Sequence, residues 1–189
     1  MSAVKAPAAR SVLRDRHAAE DDAQLILRHW REAVPGDRLA HLVKDATRAL
    51  VRALQVRLAV HDVPFGHWTF LRILWQHDGL TQRALSREAG VMEPTTHAAL
   101  HAMEALGYVV RRKLPDNRRN VHVFLTARGR ALQRTLVPLA TKVNRIAARG
   151  VAATDLTATR RTLLAIIANL ARDTQTPKRR DSKAIGSRS

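Results

Sequence analysis

The side chains best suited to chemistry in this 189-residue sequence are cations and imidazoles. Arg111, Arg112 and Lys113 precede a Pro115-Asp116-Asn117 turn and Arg118 and Arg119 follow it, so five positive charges surround one loop whose only acid is Asp116. A turn of that composition presents its flanks in a fixed direction, and guanidinium groups so held match phosphate oxygens. Just upstream, His97 and His101 stand four residues apart with Thr95 and Thr96 beside them. That is one helical turn, and short polar groups near a helix N-terminus can meet phosphates or base edges. Two imidazoles are also half of a zinc site. With no cysteine in the chain, nothing nearby completes a tetrahedron, and no metal is expected.

Catalysis has no comparable set of residues. The 16 acids are scattered, and the chain has no Gly-rich phosphate loop, no G-x-S-x-G elbow and no zinc-protease helix motif, so neither catalytic residues nor a cofactor is expected. Charge gives the partner class. With 33 Lys and Arg against 16 Asp and Glu the formal charge is +17, which draws polyanions. Aromatics make up only 4% of the chain, too few for stacking platforms that hold single strands. Double-stranded DNA is the better fit. The surplus is uneven: residues 104–150 hold 11 basic and 2 acidic side chains. No apolar run approaches the roughly 20 residues of a spanning helix, and the N-terminus lacks an apolar signal core. A cytoplasmic protein without a membrane partner is expected.

Elements must position these groups. Apolar spacing predicts a short helix within 19–34, ended by Pro35-Gly36. A helix of about seven turns then follows an Asp37 cap, with Leu39, Leu42, Val43, Ala46, Leu50, Ala53, Leu54 and Leu58 on one side up to His61-Asp62. A further helix is predicted from His67 to His77, ended by Asp78-Gly79. Thr81 caps a short helix through Glu88, Ala89-Gly90 breaks it, and Glu93-Pro94 starts another through Leu106. In that second helix Ala99, Leu100, Met103 and Leu106 are expected to pack inward, leaving Thr95, Thr96, His97, Ala98 and His101 outward. The β-prone runs 108–110 and 121–125 flank the basic loop as a hairpin. Thr126 caps a helix to Arg149 that Pro138 is expected to kink or break, and a last helix spans Thr154 to Arg172.

This order describes a winged helix-turn-helix. The second short helix enters the major groove and the hairpin loop meets phosphate or the minor groove. The fold class is mainly α, with a small β-hairpin wing and an α-helical dimerisation region. Residues 1–36 form an N-terminal extension, 37–173 the folded region and 174–189 a basic tail. Within the folded region the winged part is about 65–126 and the dimerisation helices are about 37–62 and 127–173. The first and last long helices carry more Leu, Ile and Ala than one small domain covers, which implies a second copy of the chain.

Residues 79–132 resemble the MarR family of bacterial transcription regulators. The likeness rests on the Leu80-Thr81 opening, the stretch from Leu85 to Ala89, the run from Met103-Glu104 through Gly107-Tyr108-Val109 into Arg111, and Leu125-Thr126 with Gly129. There are departures. The family wing commonly reads Asp-x-Arg-Asp-x-Arg, whereas this one reads Asp116-Asn117-Arg118-Arg119, about two residues shorter, and the second helix has Ala98 and Ala99 where longer polar side chains are frequent. The resemblance implies a homodimer with interlocked terminal helices on a palindromic operator, usually repressing. DNA contacts are expected from Thr81, Thr95, Thr96, His97, His101, Arg111, Arg112, Lys113, Asn117, Arg118 and Arg119. It also implies release by a small, often aromatic or anionic, effector bound between the dimerisation helices and the winged part. Arg48, Arg52, His61, His67, Trp68 and Arg72 offer the cations and aromatic surface to hold an aromatic carboxylate or its coenzyme A thioester. The rival reading is a non-specific architectural DNA-binding protein, for which the charge alone would suffice.

Overall fold

The computed structural model describes residues 24–30, 39–115 and 117–175. The expected Asp37 cap, most of the N-terminal extension, Asp116 and nearly all of the basic tail lie outside the described residues. Among the described residues, seven helices and one hairpin follow in order: α1 (24–30), α2 (Leu39–Ala59), α3 (Phe65–Leu74), α4 (Gln82–Ala89), α5 (Glu93–Ala105), β1 (Val109–Leu114), β2 (Asn117–Leu125), α6 (Ala127–Ala147) and α7 (Ala153–Gln175). Two compact units divide between Ala147 and Ala148.

The first unit is built round α3, whose Phe70, Leu71, Ile73 and Leu74 are buried together with Leu58 of α2, Leu85 of α4, Leu100 and Met103 of α5 and Leu136 of α6. Each such side chain contributes about 1.5–3 kcal/mol by leaving water. Extended Pro64 precedes α3, so the helix begins at Phe65, two residues ahead of the sequence expectation. Helix α6 runs unbroken with Pro138 inside it: the proline does not end the helix as one reading of the sequence allowed. In the second unit, α7 leaves Leu164, Ile167 and Leu170 exposed, at 57%, 64% and 61%. No helix among the described residues is long and apolar enough to cross a membrane.

Local chemistry fixes the helix-turn-helix. The Thr81 hydroxyl accepts the Ala84 N–H at 3.1 Å, starting α4. At its other end Gly90 takes φ +66°, the left-handed conformation that favours glycine. The Ser86 hydroxyl then donates to the Val91 carbonyl at 2.7 Å, tying the turn back to α4.

The hairpin pairs Val109 with Leu125 through Lys113 with Val121, and an irregularity then brings Leu114 opposite Asn117. Sequence reasoning left out a third short edge. The Gly79 N–H donates to the Val123 carbonyl at 3.0 Å, the Val123 N–H donates to the Leu80 carbonyl at 2.9 Å, and Thr81 bridges His122. The chain entering α4 is therefore stitched to the wing.

Candidate nucleic-acid interface

Helix α5 lies against α3, α4 and β1, with Leu100 and Met103 fully buried beneath it. Its opposite side exposes Pro94, His97, Ala98, His101 and Ala105, the stripe that helical periodicity requires. Two residues depart from the expected pattern. Thr96 is fully buried and its hydroxyl donates to the Met92 carbonyl at 3.3 Å, so it packs inward and not outward as expected. Leu106, expected inward, is exposed, because it caps the C-terminus of α5, with a hydrogen bond from its N–H to the Ala102 carbonyl, just before Gly107 turns the chain at φ +70°. Thr95 is exposed but lines a crevice, beside Ala99.

Among the wing cations, Arg112, Lys113, Arg118 and Arg119 are exposed. Arg118 and Arg119 are consecutive in β2 and fall where its pairing with β1 is irregular, between the partners of Leu114 and Lys113. Asn117 accepts a hydrogen bond from the Asn120 amide at 3.1 Å across the tip. Arg111 behaves differently. Its Nε lies 2.9 Å from Glu104 Oε2, a terminal nitrogen lies 2.7 Å from the same oxygen, and its backbone N–H donates to Glu104 Oε1 at 2.9 Å. Hydrogen bonding from Arg111 holds the Glu104 carboxyl below its ordinary value. Arg111 is thus an internal clamp between α5 and β1, not the free cation the sequence pattern suggests.

A second fastening lies at the wing base. Asp78 accepts the Leu125 N–H at 2.8 Å and the Gly79 N–H at 3.1 Å, and pairs through its other oxygen with Arg130 of α6. The Thr126 hydroxyl donates to the Gly107 carbonyl at 2.6 Å and accepts the Gly129 N–H at 3.0 Å. Gly129 is required there, because a Cβ would collide with the Tyr108 carbonyl oxygen.

Further cations escaped the sequence reading. Arg83 and Arg87 are exposed on α4, one turn apart, with Arg83 at 3.8 Å from Glu93. The alternation of charge and Ala or Leu in QRALSREA is the signal that would have found them.

The expected effector residues do not converge on one place. A crevice of about 640 Å³ between α2, α3, α5 and α6 is lined by Leu54, Trp68, Arg72, Thr95, Ala99 and Val143, among others. Trp68 is buried edge-on against Trp75 at 5.7 Å, and Arg72 is exposed. Arg52 lines a separate cavity of about 550 Å³ with Gln55 and Phe65. Arg48 and His61 are exposed and line neither cavity. His67, which also lines neither, is buried, and loss of water pushes its pKa below the ordinary histidine value. Among the described residues no cluster of His, Asp and Glu has the makings of a metal site.

Residues 66–121 match the model of the MarR family. The HTH-type transcriptional regulator TtmR of Methylorubrum extorquens (strain PA1) is 30% identical over 96 residues, 51% of this chain and 49% of its own. The chain therefore spans about half the length of that curated relative. A MarR family regulator from Listeria monocytogenes, solved with 26mer DNA, superposes with a TM-score of 0.66 at 18% identity, over 73% of this chain and 92% of its own. BpsR of Bordetella bronchiseptica, whose DNA binding is regulated by 6-hydroxynicotinic acid, gives 0.63 at 20% identity, over 69% and 98%. At these identities the two structures establish the fold, and the segment that matches the family model holds the helix-turn-helix and most of the wing.

Proposed function

We propose that this protein is a sequence-specific DNA-binding transcriptional regulator that represses from a palindromic operator as a homodimer and is released by a small-molecule effector. One observation carries the reading: the exposed stripe of α5 and the exposed cations Arg112, Lys113, Arg118 and Arg119 belong to one clamped assembly, joined by Glu104 and Arg111. The stripe reads bases while the wing cations fix register on phosphates. The Listeria relative bound to DNA and the regulator TtmR support this. Two-fold pairing accounts for the exposed leucines and isoleucine of α7 and for Leu39, Leu42 and Leu50 of α2, apolar faces that a second copy would cover.

For the effector, the crevice beside α5 is the best site: Trp68 supplies aromatic surface and Arg72 a cation for a carboxylate. The ring acid that regulates BpsR is of this chemical class, and a coenzyme A thioester of such an acid would place its phosphates outside, against the basic surface.

The test is the affinity ratio between the preferred duplex and random duplex at near-physiological salt. A specific regulator should show at least about 1,000-fold, and a panel of aromatic acids should include one that lowers the bound fraction in fluorescence anisotropy. A ratio near one would replace this reading with a non-specific architectural role.

A further inference from the structure

Helix α5 holds no arginine or lysine from Glu93 to Ala105. Whatever it reads in a major groove, it reads without the guanidinium forks and ammonium groups that most often recognise guanine. On its exposed stripe, Pro94, Ala98 and Ala105 have no side-chain donor, and Thr95, exposed as well, lines the crevice. Glu93 only accepts, and it lies towards Arg83. That leaves His97 and His101.

Both imidazoles are exposed; His101 stands near enough to the Glu104 carboxylate to help hold its pKa down, without a hydrogen bond between them. Four residues separate them by about 6 Å along the helix axis, under two base steps at about 3.4 Å each, so both fall within one half-site. An imidazole N–H is a single directional donor. Guanine offers it two adjacent acceptors in the major groove, N7 and O6, whereas adenine sets an amino donor beside its N7.

We infer that His97 and His101 are the major-groove base readers of this chain, each donating to N7 of a guanine, while the wing cations hold the DNA backbone. The inference rests on the DNA-binding reading above and divides its labour between two sets of residues.

The experiment starts by selecting duplexes from a pool randomised over about two helical turns, using the full chain. Anisotropy is then measured over a salt series for wild type, for the His97→Ala/His101→Ala double variant and for His101→Gln, with folding checked by circular dichroism. The double variant should lose at least about tenfold of the selected-to-random ratio and keep the wild-type salt slope. Replacing the selected guanines by 7-deazaguanine should weaken wild type about tenfold and leave the double variant unchanged. His101→Gln should shift the preferred base towards adenine, which an amide pairs with at N6 and N7. A double variant that keeps the full ratio, or indifference of wild type to 7-deazaguanine, overturns the inference while leaving DNA binding standing. A wild-type chain that enriches no sequence overturns sequence-specific binding itself, and the inference with it.

Discussion

Glu104 receives the backbone N–H and the guanidinium of Arg111 on its two oxygens, so one carboxylate decides how the wing leaves the recognition helix. Because its pKa is lowered in the folded protein, the contribution to stability is fully present above the unfolded glutamate value, about 4.3, and is lost as pH falls through the folded one. Glu104→Gln should therefore lower the urea midpoint at neutral pH, and the gap to wild type should close in acid. A gap that persists unchanged in strong acid would mean that the carboxylate charge is not what holds the clamp. In sequence, Arg111 looks like its neighbours Arg112 and Lys113. Only the return of β1 beside α5 brings it to Glu104, a pairing between elements that composition does not encode. Thr96 misleads for a related reason: its hydroxyl is satisfied by Met92 one turn back, so a polar side chain is buried at little cost.

Among the elements, the helix-turn-helix and the start of α6 are the most legible, since Thr81, Gly90 and Thr126 are local signals acting on residues three or four away. The edge formed by Gly79 and Leu80 was not, because its partner Val123 lies more than forty residues on and two residues are too few to show strand alternation. Thr126 is the element boundary with most to lose: Thr126→Val, which keeps the shape and removes the hydroxyl, should cost about 1–2 kcal/mol, seen as a lower denaturation midpoint with unchanged slope. In the wing, Arg118 and Arg119 are both exposed beside the turn, so single substitutions should be partial. Replacing both by alanine should reduce the salt slope of DNA binding by about 0.9 for each phosphate left without its cation, with the oligomeric state unchanged. An unaltered slope would remove both arginines from the interface.

Over the chain as a whole, the charge surplus gathers in 104–150, and its exposed part lies on the wing, on α6 and at Arg149. Composition does not show which cations are already engaged internally: Arg111 on Glu104, Arg130 on Asp78, and Arg128 over the Tyr108 ring at 5.3 Å. If α7 joins two copies through its exposed apolar residues, Ile167→Asp should give a single-chain mass in sedimentation and weaken operator binding strongly, while α-helical content stays. A dimer that survives would place the interface elsewhere. The same α5 whose stripe faces outward also gives Thr95 and Ala99 to the wall of the crevice. Under the proposed function this helix of thirteen residues would border both DNA and effector, and free-energy linkage would then run both ways. An acid that loosens the operator tenfold must itself be bound tenfold more weakly by the DNA-occupied protein, about 1.4 kcal/mol in either direction. Calorimetric titration with and without operator should return the same factor. Cells would then need more effector to clear an occupied promoter than to fill the free protein, so the operator itself sets the threshold of induction.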